Sequence, residues 1–166
     1  MRKKYSFAEQ VAIAKVYEDK LFTHYETLPS IVKVINCTKD KAFQKLDIDF
    51  ITVKEYSNIA RAETLEVKVD FRVKETGNLF VEIGDKGWLN KSKAERLLYV
   101  DAESKIGYNI PMCWLREYVR EHEEEFESKE VYTSDFGGFN ITGLLVPLEQ
   151  LLTEPIVITE DLTEAI

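Results

Sequence analysis

Leu65-Glu66-Val67-Lys68-Val69-Asp70-Phe71-Arg72-Val73 is the stretch that decides the fold. Its period is two: Leu65, Val67, Val69, Phe71 and Val73 fall on one side, and Glu66, Lys68, Asp70 and Arg72 on the other. Such alternation reads as a half-buried strand, and the β-branched, aromatic content supports it. Leu79–Ile83 follows the turn signal Thr76-Gly77-Asn78, so the spacing predicts an antiparallel hairpin between the two runs. Upstream, Ser30–Ile35 and Asp49–Val53 read as short strands around a polar, helix-prone Thr38–Lys45. Downstream, Tyr99–Asp101 and Lys105–Ile110 read as two further strands about a turn.

Helical signals frame these strands. Ser6-Phe7-Ala8-Glu9 is a capping box that opens a helix to about Leu21–Thr23, with Phe7, Val11, Ala14, Leu21 and Phe22 in one apolar stripe. Glu18 falls near the centre of that stripe, where an unpaired acid is costly, so it calls for a partner, a metal or a wet cleft. Ser92-Lys93-Ala94-Glu95 is a second capping box, predicting a helix through about Leu98. A third helix is expected from Pro111 to about Glu125, with Met112, Leu115, Tyr118 and Val119 inward. The order is that of an α/β protein with a mixed sheet flanked by helices. The expected organisation is one domain over residues 1–152 and an acidic, fraying tail over 153–166, with a break at Gly137-Gly138 before the apolar Leu144–Leu152.

Composition narrows the function classes. The chain has 166 residues, 45% of them hydrophobic, enough for a core without staples. Two cysteines, Cys37 and Cys113, and two distant histidines, His24 and His122, give no disulfide framework, zinc spacing or histidine-based triad. Apolar runs are too short for a membrane span, and Met1-Arg2-Lys3-Lys4 leads into no secretory apolar segment. A reduced, cytoplasmic protein is the expectation. The net charge of −8 is uneven: residues 1–83 carry 14 Lys+Arg and 13 Asp+Glu, whereas residues 84–166 carry 8 and 17. The acidic half disfavours nonspecific nucleic-acid binding, but says little about a site built in the first half.

Chemistry concentrates in that first half. If the strand of Asp49 pairs with that of Glu66 and Lys68, two carboxylates and an ammonium meet at one place, and Glu18 sits on the buried-looking stripe of the first helix. Hard cations such as Mg²⁺ take carboxylate and carbonyl oxygens and need neither His nor Cys. The plain alternative for Glu66 and Lys68 is a surface charge pair worth ~0.2–1 kcal/mol. Asp49, followed by Glu66-Val67-Lys68, resembles the signature of the PD-(D/E)xK nuclease superfamily. So does the further order Leu65–Asp70, Gly77–Glu82, Gly87-Trp88 and Ser92-Lys93-Ala94, seen in small phage and bacterial members. The resemblance covers roughly residues 7–120. No Pro precedes the Asp, and Asp47 competes with Asp49 in Leu46-Asp47-Ile48-Asp49.

The resemblance implies a restriction-endonuclease-like α-β-β-β-α-β core and a Mg²⁺-dependent DNA endonuclease, some relatives being junction resolvases, with Mn²⁺ able to substitute. It makes Asp49, Glu66, Glu18 and the Val67 carbonyl metal ligands, and Lys68 the residue that orients or helps activate water. Lys91, Ser92 and Lys93, beside an expected helix N-terminus, would grip phosphate, with Lys45 or Arg72 in support; Glu82, Asp70 and Asp47 are accessory candidates. DNA, branched or duplex, and a homodimer are the implied partners. No base-recognition element is readable, and an RNA nuclease fits the same residues. The rival class is a catalytically silent nuclease-fold interaction protein of a phage or mobile element, which the acidic second half favours.

Overall fold

The computed structural model describes residues 7–85, 87–133 and 139–166; Ser6 of the first capping box and the Gly137-Gly138 break lie outside them. Helix α1 (Phe7–Thr27) runs one turn beyond the expected end, until Leu28-Pro29 forbids continuation. Then follow β1 (Ile31–Asn36), α2 (Lys41–Gln44), β2 (Phe50–Tyr56), β3 (Ile59–Asp70), α3 (Val73–Thr76), β4 (Asn78–Glu82) and α4 (Trp88–Lys91). The second half holds β5 (Arg96–Asp101), β6 (Ile106–Pro111), α5 (Met112–His122), β7 (Glu127–Thr133), β8 (Phe139–Pro147), α6 (Leu148–Leu151) and β9 (Ile158–Asp161). The fold is mixed α/β. Its large sheet has the order β1-β2-β3-β5-β6-β9, in which only the β3–β5 pair is parallel. A smaller antiparallel sheet, β4-β8-β7, forms its own hydrogen-bonded ladder.

The alternation of β3 sorts two cores. Leu65 and Val67 join Leu21 and Tyr25 of α1, with Phe50, Leu98 and Val100, on one face of the large sheet. On the other face Leu97, Tyr99, Tyr108 and Ile110 pack against Leu79, Val81, Leu144 and Val146 of the small sheet and Met112, Leu115 and Val119 of α5. Glu66 and Lys68 pair in register with Leu97 and Tyr99, so they point to this second face, at its margin.

Four expectations give way. No β3–β4 hairpin forms: β3 ends at Asp70, Val73 starts α3, and β4 pairs with β8. The capping box at Ser92 opens no helix. Strand β5 begins at Arg96, and Leu97, Leu98, Tyr99 and Val100 are buried on alternate faces, as a central strand of a two-sided sheet requires. Local cap chemistry, worth ~1 kcal/mol, loses to burying four large side chains at about 1.5–3 kcal/mol each. Val11 is 48% exposed and leaves the apolar stripe of α1. The acidic C-terminal stretch does not fray: β9 pairs with β6, Leu162 is fully buried, and Glu160 accepts a hydrogen bond from the Tyr25 hydroxyl at 2.8 Å. The third helix is α5, closed by a 3₁₀ turn over Glu123–Glu125, with Met112, Leu115 and Val119 buried and Tyr118 half-buried. Among the described residues no helix is long and apolar enough to cross a membrane.

Candidate functional site

Asp49 is delivered by a tightly tied turn. Asp40 caps α2 through Ala42 N–H at 2.8 Å, and Ile48 packs with Cys37 and Ala94 in a small core of its own. Asp47 takes φ +48°, a left-handed conformation that Asp tolerates better than most residues. Asp49 N–H then donates to Leu65 O, and Cys37 N–H to Asp49 O, each at 2.8 Å. These bonds leave the Asp49 carboxylate facing β3, where its Oδ2 accepts the Val67 N–H at 2.8 Å.

Glu66 and Lys68, two apart on β3, form an ion pair through Glu66 Oε1. The Glu66 side chain is 2% exposed and that of Lys68 35%, so the pair joins interior to surface. The other oxygen, Glu66 Oε2, is buried and has no hydrogen-bond partner among the described residues. A buried polar atom without a partner is unusual and costly. Burial pushes the Glu66 carboxyl up to about 8, as Asp49 and Asp47 add repulsion that Lys68 only partly offsets. Burial also raises Asp49, against the Val67 N–H and Lys68. For Lys68, burial opposes the charge, but Glu66, Asp49 and Glu82 together hold the ammonium above the ordinary lysine range.

Two acids complete the surroundings. Glu18 lies three and seven residues before Leu21 and Tyr25, hence on the sheet-facing side of α1. Burial and then Asp49 push its carboxyl up, while Lys15 and Lys68 pull it down. Glu82 ends β4, is raised by burial, and is held by Lys68 and the Trp88 N–H. Gly87 makes that contact possible: a Cβ there would meet the Glu82 and Ile83 carbonyl oxygens at 2.5 Å.

The structure thus brings Asp49, Glu66 and Lys68 together, with Glu82 and Asp47 at their border, while Glu18, on the helix over the other face of the sheet, feels the charges of Asp49 and Lys68. It does not bring Asp70, whose Oδ2 accepts the Tyr99 hydroxyl and Oδ1 the Arg72 N–H, each at 2.7 Å. The helix N-terminus expected beside Lys91, Ser92 and Lys93 does not form. Ser92 caps the C-terminus of α4 and starts no helix; it is fully buried, its hydroxyl donating to Asp47 O and accepting Ala94 N–H. Lys91 reaches Asp47 Oδ1 at 2.6 Å, an ion pair 44 residues apart that no local pattern could reveal. Lys93, Lys45 and Arg72 are exposed, and Val67 and Trp88 are buried.

Among the described residues, no three His, Cys, Asp or Glu side chains stand together as a group that could hold a metal ion. Around Glu66 the acids are desolvated and repel one another, and among the described residues one of its carboxylate oxygens has no hydrogen-bond partner. Searches of protein-family models, curated proteins and solved structures return no match for this chain.

Proposed function

We propose that the chain is a divalent-metal-dependent phosphodiesterase that cuts DNA, built on a restriction-endonuclease-like core. The order α1, antiparallel β1-β2-β3, a crossover, and β5 parallel to β3 supports that core. The observation that carries the reading is the partnerless Glu66 Oε2 beside Asp49 and Lys68. Asp49 and Glu66, with Glu18 and the Val67 carbonyl, would hold Mg²⁺ or Mn²⁺, which supplies Lewis-acid polarisation of the phosphodiester. Lys68, held as an ammonium, donates hydrogen bonds to the attacking water or to the developing negative charge, and so orients rather than removes a proton. Lys91, now paired with Asp47, would have to leave that partner to contact phosphate.

The test is cleavage of linear, branched and single-stranded DNA in Mg²⁺ and in Mn²⁺, comparing the parent with Asp49→Asn and Lys68→Ala. Each variant is expected to lose at least about 100-fold in rate; cleavage equal to the parent refutes the assignment. A second reading, a silent nuclease-fold interaction protein, is favoured by the Lys68–Glu66 ion pair, which already occupies one oxygen of the carboxylate. No cleavage by a folded parent in either metal, with no Mg²⁺ binding by calorimetry, selects that reading.

A further inference from the structure

Four sheet edges carry visible protection. β1 has a register shift between Ile31 and Lys33, β9 is four residues long and acidic, β7 bears Glu127, Lys129 and Glu130, and the Phe80 N–H on β4 donates to the Tyr99 hydroxyl. The first part of β3 carries none. Strand β5 pairs with β3 only from Leu65 onward. At Thr64 the lane closes: Glu95 Oε2 accepts the Thr64 N–H at 3.0 Å, and Glu95 N–H donates to Thr64 O at 3.1 Å. Backbone groups of a strand alternate in direction, so those of Ala62 and Ala60 point the same way as those of Thr64, into a lane that β5 does not reach. Among the described residues no bond beyond the β2–β3 ladder reaches either alanine. At the tip, Tyr56 and Ile59 face each other across the Ser57-Asn58 turn, 57% and 71% exposed.

We infer that this edge is the docking surface for a second copy of the chain, the two ribbons pairing antiparallel about a twofold axis at Ala60. The inference stands independently of the proposed activity. The centre follows from the lane being shared with β5. Centred on Ala62, the turn of the second copy would run into Glu95 and Arg96; centred on Ala60, it stops beside Ala62 and Glu63. This register sets Ala60 against itself, where small side chains permit close approach, and sets Ile59 against Arg61 of the second copy. Arg61 then covers the exposed Ile59 with its aliphatic stem and lays its guanidinium toward Tyr56, a cation–π partner. The surface is complementary to itself, as an isologous contact requires.

The test uses the full chain with Cys113→Ser, which leaves buried Cys37 as the native thiol. Sedimentation velocity over rising concentration is expected to show the 19.3 kDa species giving way to one of about twice that mass. Opposed Cα atoms in a hydrogen-bonded antiparallel pair lie about 5.5 Å apart, within disulfide reach, so Ala60→Cys should cross-link on oxidation. Ala62→Cys, about 14 Å from its twofold mate by strand rise, should not. Ala60→Pro removes only an outward N–H, so its circular dichroism and melting should match the parent while its dimer dissociation constant rises at least about tenfold. Ile59→Lys, which opposes two cations, gives a second disruption that needs no proline. A parent that stays monomeric throughout, or equal cross-linking at positions 60 and 62, overturns the proposal; in the first case the edge belongs to a different partner.

Discussion

Replacing Glu66 by Gln should stabilise the protein in alkali and not in acid. The folded carboxyl titrates at about 8 against an ordinary 4.5. A carboxyl raised on folding contributes stability that is fully present below the unfolded pKa and lost as pH climbs through the folded one. Between pH 5 and pH 9 the parent therefore loses about 4 kcal/mol at 1.36 kcal/mol per unit, most of it below pH 8. The Gln variant has no such titration. Its amide leaves a buried donor and removes the partner of Lys68, but these costs shift both ends of the pH range in the same direction. Guanidinium unfolding of both proteins at pH 5, 7 and 9 isolates the pH-dependent part, since only the difference between differences matters. A gain for Glu66→Gln over the parent that grows by 2 kcal/mol or more from pH 5 to pH 9 is expected, a threshold at about half the calculated value. A flat difference would refute the burial argument at this carboxylate. If Mg²⁺ binds at Glu66 as proposed, saturating Mg²⁺ should shrink the gap, because a cation there favours the ionised carboxylate of the parent.

Two further outcomes test the packing that frames the site. Gly143→Ala places a Cβ 2.4 Å from the Phe80 ring, so denaturant unfolding should show a loss of about 1–3 kcal/mol that Phe80→Leu in the same chain partly restores. Leu162→Ala, at a fully buried position just after β9, should cost about 2–5 kcal/mol, with hydrogen exchange rising in β9 and at the start of β6; an effect below 1 kcal/mol would mean that the C-terminal strand is dispensable to the core.

The sequence by itself determined which residues could share a face. Period-two alternation fixed that Glu66 and Lys68 look one way and Leu65 and Val67 the other, and helical spacing put Glu18 on the same stripe of α1 as Leu21. It also determined the mixed α/β class and the two strands about a turn that the structure pairs antiparallel as β5 and β6, neighbours joined by a short turn being the easiest partners to form. Which strands meet at long range was decided only by the tertiary structure. β4 follows β3 in the chain yet pairs with β8, some 60 residues on, because Leu79 and Val81 find Leu144 and Val146 as partners over the second face of the large sheet. The capping box at Ser92 was a true local signal, overridden because Leu97 to Val100 are apolar on both faces and a central strand buries them all. The same packing gave Asp70 to Tyr99 and Lys91 to Asp47, and left Glu66 Oε2 without a partner. A pattern confined to a few residues records which way side chains point; what they point at depends on how much apolar area each alternative pairing removes from water.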